Sequence, residues 1–252
     1  MGHGGRRATL LVALALAACG IDRFRKGAAE PDAGVDAQAD GDAASPAFCD
    51  PSDPNLLVCM RFEDAAVNEV DGAPQPTAPV GLTFVQGRVG QGVSMGAASF
   101  VSMPDDPRWY TSAFALEAWV NARALPPDGG RAGIIDSEGR YSIFLYESGR
   151  IACSGTVRIY GPNLSADSWT HLACVLDGSQ LTLYVNGTAV ATASDAGAGT
   201  NEGGTADGAP VVATTNIGSN APSGDLFFGA IDEVRIFRAA RTPAQVAAAA
   251  NR

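Results

Sequence analysis

Two glycine-bearing dipeptides, Asp177-Gly178 and Asn186-Gly187, divide residues 169–193 into three short runs of alternating hydrophobicity. Alternation at period two marks a strand with one buried face, and Asn-Gly supplies the two positive-φ residues of a tight hairpin turn. The segment is read as a three-stranded meander. The same alternation recurs in AFALEAWVN, where Phe114, Leu116, Ala118 and Val120 share one parity, and in RYSIFLYE, where Ile143 and Leu145 continue it. Helix signals are sparse. The good case is Thr242-Pro243-Ala244-Gln245, with an N-cap hydroxyl, a proline at N1 and a glutamine at N3 ahead of an alanine-rich stretch to Ala250. Many short strands with close turns and one short C-terminal helix predict an all-β antiparallel sandwich of two sheets.

Composition narrows the function. Of 252 residues 46% are hydrophobic and 17% charged, with 27 acidic against 17 basic side chains and a formal net charge of -10. A polyanion binder needs a basic face to neutralise phosphates, so nucleic acid is not an expected partner. Every basic residue but Lys26 is arginine, and His3 and His171 are the only histidines, which excludes sites built on several imidazoles. The glycine-rich stretch GRVGQG (87–92) lacks the strand–turn–helix setting of a phosphate cradle. No internal repeat emerges, so one domain is expected.

Arg6 and Arg7 precede an apolar run over residues 8–18 that is too short to cross a bilayer stably and reads as a secretory signal. Its end, Leu16-Ala17-Ala18-Cys19, resembles the bacterial lipobox, which implies cleavage before Cys19 and acylation of its thiol. Several acyl chains on one residue anchor a protein stably, so attachment to a membrane through lipid is expected. Gly20, not Asp, follows the cysteine, which by that resemblance implies an outer-membrane destination in a bacterial cell envelope, periplasmic or surface-exposed. Residues 19–47 are rich in Ala, Asp, Gly and Pro and too poor in bulky side chains to offset the entropy of ordering. They read as a flexible tether, which leaves 48–252 as the folded domain. Four cysteines remain there, Cys49, Cys59, Cys153 and Cys174, an even count that suits disulfides in an exported protein. Three pairings are possible. Cys49 with Cys59 as a local staple, and Cys153 with Cys174 joining two predicted strands, is the favoured one.

The segments FALEAWV (114–120), DSWTHLACVLDGSQLTLYVNG (167–187) and FGAIDEVRIFRAARTPAQV (228–246) resemble the laminin-G-like jelly-roll domains of the concanavalin A-like lectin/glucanase group. LVCMRFED (57–64) and GRVGQGVSM (87–95) resemble that family's opening strands. The resemblance implies a sandwich of two curved sheets, and it leaves function open because the fold hosts lectins, glycosidases and adhesion modules. It also implies a structural calcium held by Glu63 and Asp232, with Asp71 as a loop ligand. Asp232 shares parity with Val234 and Ile236, which predicts a carboxylate on the core side that needs a cation, an arginine such as Arg61, or backbone donors.

Glucanases of this fold place carboxylates on one strand face. Here Ala230 and Val234 stand where glutamates would be needed around GAIDEV, and Glu117 is isolated in LEAWV, so hydrolysis is not expected. His171 lies within a predicted strand and reads as structural. The loop PDDPRWYT offers Trp109 and Tyr110 beside Asp105, Asp106 and Arg108, a candidate platform for a sugar ring, with packing of Trp109 on the sandwich edge as the plainer reading. The expected function is therefore a non-catalytic binding or adhesion module that recognises carbohydrate or a protein partner. The alternatives are a structural surface lipoprotein without a small ligand and, behind it, a glycoside hydrolase with a non-standard site.

Overall fold

Asn186 and Gly187 take φ values of 48° and 77°, which turn the chain back on itself as the dipeptide predicts. A computed structural model describes residues 48–96, 99–137, 139–194, 214–220 and 224–252. The signal, Cys19 and the tether lie outside the described residues. The strands are, in chain order, β1 (Leu56–Met60), β2 (Ala78–Val80), β3 (Thr83–Gln86), β4 (Gln91–Met95), β5 (Phe100–Met103), β6 (Phe114–Ala122), β7 (Arg131–Ser137) and β8 (Tyr141–Tyr146). They continue with β9 (Arg150–Ser154), β10 (Arg158–Asn163), β11 (Thr170–Leu176), β12 (Leu181–Val185), β13 (Thr188–Ala193), β14 (Thr215–Ile217) and β15 (Gly229–Phe237), followed by the helix α1 (Pro243–Ala250).

The first sheet runs β13-β12-β11-β6-β15-β4-β3, with β1 also paired to β15, and the second runs β10-β9-β8-β7-β14-β5-β2. All the pairings are antiparallel. The parity read from the sequence holds. Phe114, Leu116, Ala118 and Val120 enter the main core together with Ile143 and Leu145 from the facing sheet. The expected meander is β11-β12-β13. Both favoured disulfides are present, Cys49–Cys59 and Cys153–Cys174. The second joins β9 to β11 and so ties the two sheets together through the core.

The opposite face of the first sheet is not left to solvent. Ala115, Ala173, Val175, Tyr184 and Phe237 form a second apolar cluster with Phe48 from the N-terminal segment and Val246 from α1. The helix starts as predicted: the Thr242 hydroxyl accepts from Gln245 N at 3.2 Å while Gln245 Oε1 accepts from Thr242 N at 2.9 Å.

One parity prediction fails. A bulge between Asp232 and Arg235 breaks the register of β15, and Glu233 takes a φ of 51°. Asp232 pairs with Trp119 and Arg235 with Glu117, so Asp232 lies on the covered outer face and not with Val234 and Ile236 in the main core. The extra residue also lets one edge of β15 serve two partners, β4 before the bulge and β1 after it.

Cys153 and Cys174 are 21 residues apart, and opening that loop releases the denatured chain. Replacing both with alanine is expected to lower stability by about 3 kcal/mol in urea titration. An unchanged midpoint would show that the inter-sheet link does not restrain the denatured state.

Candidate functional site

The outer face of the second sheet is built differently from that of the first. Register places Ser102 opposite Asn216, Asn216 opposite Asp136, Asp136 opposite Ser142, Ser142 opposite Ser154 and Ser154 opposite Arg158. Residues directly opposite share a face, so these side chains form one polar rung across β5, β14, β7, β8, β9 and β10. The next rung pairs Phe144 with Ala152 and Ala152 with Tyr160, and beyond it Arg131 pairs with Tyr146. The described residues form no apolar cluster over this face.

Aromatic and cationic groups interleave there. Arg131 lies over Phe144 at 4.8 Å, Arg158 over Tyr146 at 5.4 Å and Arg150 over Tyr160 at 4.3 Å, while the Tyr146 and Tyr160 rings meet edge to face at 5.5 Å. Tyr160 remains 41% exposed. A small pocket of about 50 Å³ opens between Asp136, Ser142, Ser154 and Arg158, and Arg158 Nε donates to Ser154 Oγ at 3.1 Å. Fixed polar groups beside an exposed ring can stack one face of a sugar and pair with its hydroxyls. Sequence reading missed this site because its members come from strands far apart in the chain. The local trace was Ser142, Phe144 and Tyr146, which share the parity opposite to Ile143 and Leu145.

The loop expected to carry the platform does not supply one at Trp109. Pro107–Trp109 forms a 3₁₀ turn, with Asp106 as its N-cap accepting from Arg108 N at 2.8 Å. That turn inserts Trp109 into the main core, where it is 1% exposed, so packing and not ligand contact explains it. Asp106 and Arg108 pair with each other at 2.9 Å. Tyr110 is 62% exposed, yet its hydroxyl donates to Asp105 Oδ2 at 2.8 Å and Arg140 lies over its ring at 4.7 Å.

Glu63 and Asp232 do come together, around the turn at residues 87–91. Asp232 Oδ2 accepts from Arg88 N at 2.8 Å and Val89 N at 3.0 Å, Asp232 Oδ1 accepts from Glu233 N at 2.7 Å, and Glu63 Oε2 accepts from Gln91 N at 3.0 Å. The glycines of GRVGQG make room for this. A Cβ on Gly87 would stand 2.6 Å from Asp232 Oδ2, and one on Gly90 would stand 2.3 Å from Glu63 Oε2. Calcium requires free carboxylate and carbonyl oxygens. Three of the four carboxylate oxygens accept from main-chain amides, and among the described residues no three His, Cys, Asp or Glu side chains, Asp71 included, group together. These contacts carry the backbone-donor reading of Asp232.

The covered face of the first sheet holds other buried charges. Glu117 is fully buried, paired with Arg235 and 3.6 Å from Arg241 Nε, which removes it from any acid/base role at a cleft. His171 is buried edge-on to Trp119 at 5.4 Å, with its main-chain N–H donating to Asn186 Oδ1 at 2.9 Å; burial drives its pKa down to about 3. An imidazole kept neutral in this way does structural work. Burial lifts Asp232 to about 6, against the pull of its amide donors, and lifts Glu233 to about 7 although Arg252 lies 3.7 Å away.

Comparison with known proteins places this geometry. The sequence family described as the Concanavalin A-like lectin/glucanases superfamily, laminin-G type, matches residues 95–247. No curated protein matches the sequence. Among solved structures, the chain is similar to the binding domain of Paraclostridial Mosquitocidal Protein 1, with a TM-score of 0.62 and 15% identity over 78% of this chain and 52% of that one. It is also similar to domain 4 of AbnA, a GH43 extracellular arabinanase from Geobacillus stearothermophilus in complex with arabinotriose. There the TM-score is 0.58 at 20% identity, covering 78% of this chain and 98% of that domain. The binding domain of botulinum neurotoxin DC in complex with rat synaptotagmin II gives a TM-score of 0.57 at 13% identity, over 78% and 51%. The chain thus spans about half the length of the two toxin domains, and at these identities the likeness is one of fold.

Two outcomes follow from the carboxylates. Adding a chelator to protein in calcium-containing buffer is expected to leave the melting temperature unchanged; a fall of several degrees would restore the calcium reading. Glu233 titrates at about 7 in the fold against roughly 4.3 in the unfolded chain, so its charge opposes folding above pH 7 and the cost is relieved as pH falls towards 4. Glu233→Gln should raise stability by roughly 2 kcal/mol at pH 8 and add little at pH 4. A gain that is the same at both pH values would refute this assignment.

Proposed function

The chain belongs to the Concanavalin A-like lectin/glucanases superfamily, and on that premise we propose that it is a non-catalytic carbohydrate-binding module held at a bacterial cell envelope by an acylated Cys19. The observation that carries the reading is the contrast between its two outer faces. One is sealed by Phe48 and α1 over an apolar cluster, while the other carries a polar rung that is buried at its centre and ends at the half-buried Ser154 and Arg158, beside Tyr146 and the exposed Tyr160. In this reading Tyr160 stacks on a sugar ring, and Ser154 and Arg158 on the neighbouring rung pair with hydroxyls of the bound oligosaccharide. The arabinotriose complex of the AbnA domain, matched over 98% of that domain, supports a sugar as ligand on this fold. The burial and pairing of Glu117, with Ala230 and Val234 at the other positions a glucanase would fill with acids, support binding without hydrolysis.

The lipobox reading completes the proposal. A tether rich in aspartate would hold the domain off the lipid surface, where the Tyr160 side of the second sheet meets envelope or extracellular polysaccharide.

A glycan array probed with the mature protein is expected to yield an oligosaccharide that binds saturably. Tyr160→Ala should weaken that binding at least tenfold with the melting temperature retained. Unchanged affinity would remove the second sheet's face as the site. Capture of a protein receptor with no glycan bound would shift the reading to protein recognition.

A further inference from the structure

The accessible side of the second sheet carries three arginines around its aromatic rings, and each has an acid beside it. The 3₁₀ turn Glu147–Gly149 follows Tyr146 directly and delivers Arg150 to the start of β9. Arg150 Nη2 lies 3.3 Å from Glu147 Oε1, and the same guanidinium lies over the Tyr160 ring at 4.3 Å. On β7, Arg131 Nε donates to Asp225 Oδ2 at 2.6 Å while its guanidinium stacks on Phe144 at 4.8 Å. Asp225 also accepts from Asn220 Nδ2 at 3.1 Å, which fixes its carboxylate. Arg158, which donates to Ser154 Oγ, lines the same small pocket as Asp136.

Two of these pairs are within reach of a ligand. The side chains of Arg150 and Glu147 are 42% and 35% exposed, and those of Arg131 and Asp225 are 34% and 32% exposed. Ion pairs so exposed add little to stability. Their consequence is for charge. A sugar acid brought to Tyr160 meets no unbalanced cation, and its carboxylate meets Glu147 and Asp225. Like charges set together across an interface suppress the wrong partner. At longer range the formal net charge of -10 repels a polyanion as well. A neutral sugar escapes both effects. It keeps the exposed Tyr160 ring, and one carboxylate contact engages only part of the five-donor guanidinium of Arg150, which leaves N–H groups for hydroxyls.

We propose that Glu147 and Asp225 determine the specificity of this site and restrict it to neutral glycans, chains of pentoses or hexoses without uronic, sialic or sulfate groups. The inference rests on the sugar-binding reading and adds the charge of the ligand to it. Glu147 acts at Arg150, beside the ring on which the sugar stacks. Arg131 pairs with Tyr146 across β7 and β8, and the Tyr146 and Tyr160 rings meet at 5.5 Å, so a chain extending from Tyr160 over Tyr146 approaches Asp225 next. Discrimination is a difference of affinities, and a carboxylate placed against the unwanted ligand supplies it without any added contact to the wanted one.

The test is an array of neutral and acidic glycans (arabinan, xylan and galactan against polygalacturonate, sialyllactose and heparan sulfate) probed with the mature protein. The glycan that binds is then compared as its hydroxyethyl and carboxymethyl derivatives, which are alike in bulk and differ in charge. A neutral glycan is expected to bind, and its hydroxyethyl derivative at least tenfold tighter than the carboxymethyl one. The affinity for the neutral glycan should change less than twofold between low and high salt, because binding neutralises no charge. Glu147→Gln and Asp225→Asn should each narrow the gap between the two derivatives at least threefold, with the melting temperature of Glu147→Gln retained. The proposal is overturned if an acidic glycan binds as tightly as the neutral ones, if the two derivatives bind alike, or if neither substitution narrows the gap; the sugar-binding reading survives each of these results. Absence of binding to every glycan removes that reading itself, and this inference with it.

Discussion

At Asp232 the main chain of β15 slips by one residue, Glu233 crosses to a positive φ, and the strand resumes its ladder with Arg235 opposite Glu117. Much of the first sheet is organised around that slip. Before it β15 pairs with β4, and after it with β1, so the N-terminal strand joins the sheet only because the bulge ends the β4 ladder. The freed carboxylate of Asp232 then holds the turn between β3 and β4 by its amides, with Glu63 holding the far end of the same turn. Backbone donors at this bend are thus satisfied by side chains, since the sheet itself cannot satisfy them there.

The bulge also brings Asp232, Glu233 and Arg235 to a face that is later covered. Buried charge is tolerated only when paired, and removing one partner is far more damaging than removing both. Glu117 with Arg235 and Arg241 meets that demand, and the stacked Phe48 and Phe237 rings shield the guanidiniums. The N-terminal segment and α1 therefore serve as more than ornament. They complete the desolvation of charges that a bare sheet would leave in water.

Much of the fold was legible in the sequence because its signals are local. Asn186-Gly187 demands two positive φ angles and so fixes one hairpin; Thr242 and Gln245 cap one helix within a single turn; Phe114 to Val120 keep period two without interruption. The cysteine pairing was legible because Cys49 and Cys59 are only 10 residues apart and suit a local staple, while Cys153 and Cys174 fall on two predicted strands. Asp232 was misplaced for a physical reason: counting parity assumes an unbroken pleat, and one inserted residue reverses every later assignment. Trp109 was read two ways, as a platform for a sugar and more plainly as packing on the sandwich edge, and the 3₁₀ turn capped by Asp106 places it in the core. The polar rung and the stacking of Arg235 on Phe48 were illegible for a further reason. Arg235 and Phe48 are 187 residues apart, and only the folded register brings them together.

The difference between the two outer faces follows from what each sheet carries. The first sheet carries carboxylates and guanidiniums in its central strands β6 and β15 beside apolar side chains; the cover that buries the apolar groups also takes the charges out of water, which is tolerated because Glu117 pairs with Arg235 and Arg241. The second sheet carries serine, asparagine, one carboxylate and Arg158 along its rung. The accessible part of that face lies at its β8–β10 side, where tyrosines with arginines stacked against them are preorganised to trade water for the hydroxyls of a sugar. The rings lose little freedom on binding, because neighbouring guanidiniums and strands already hold them in place.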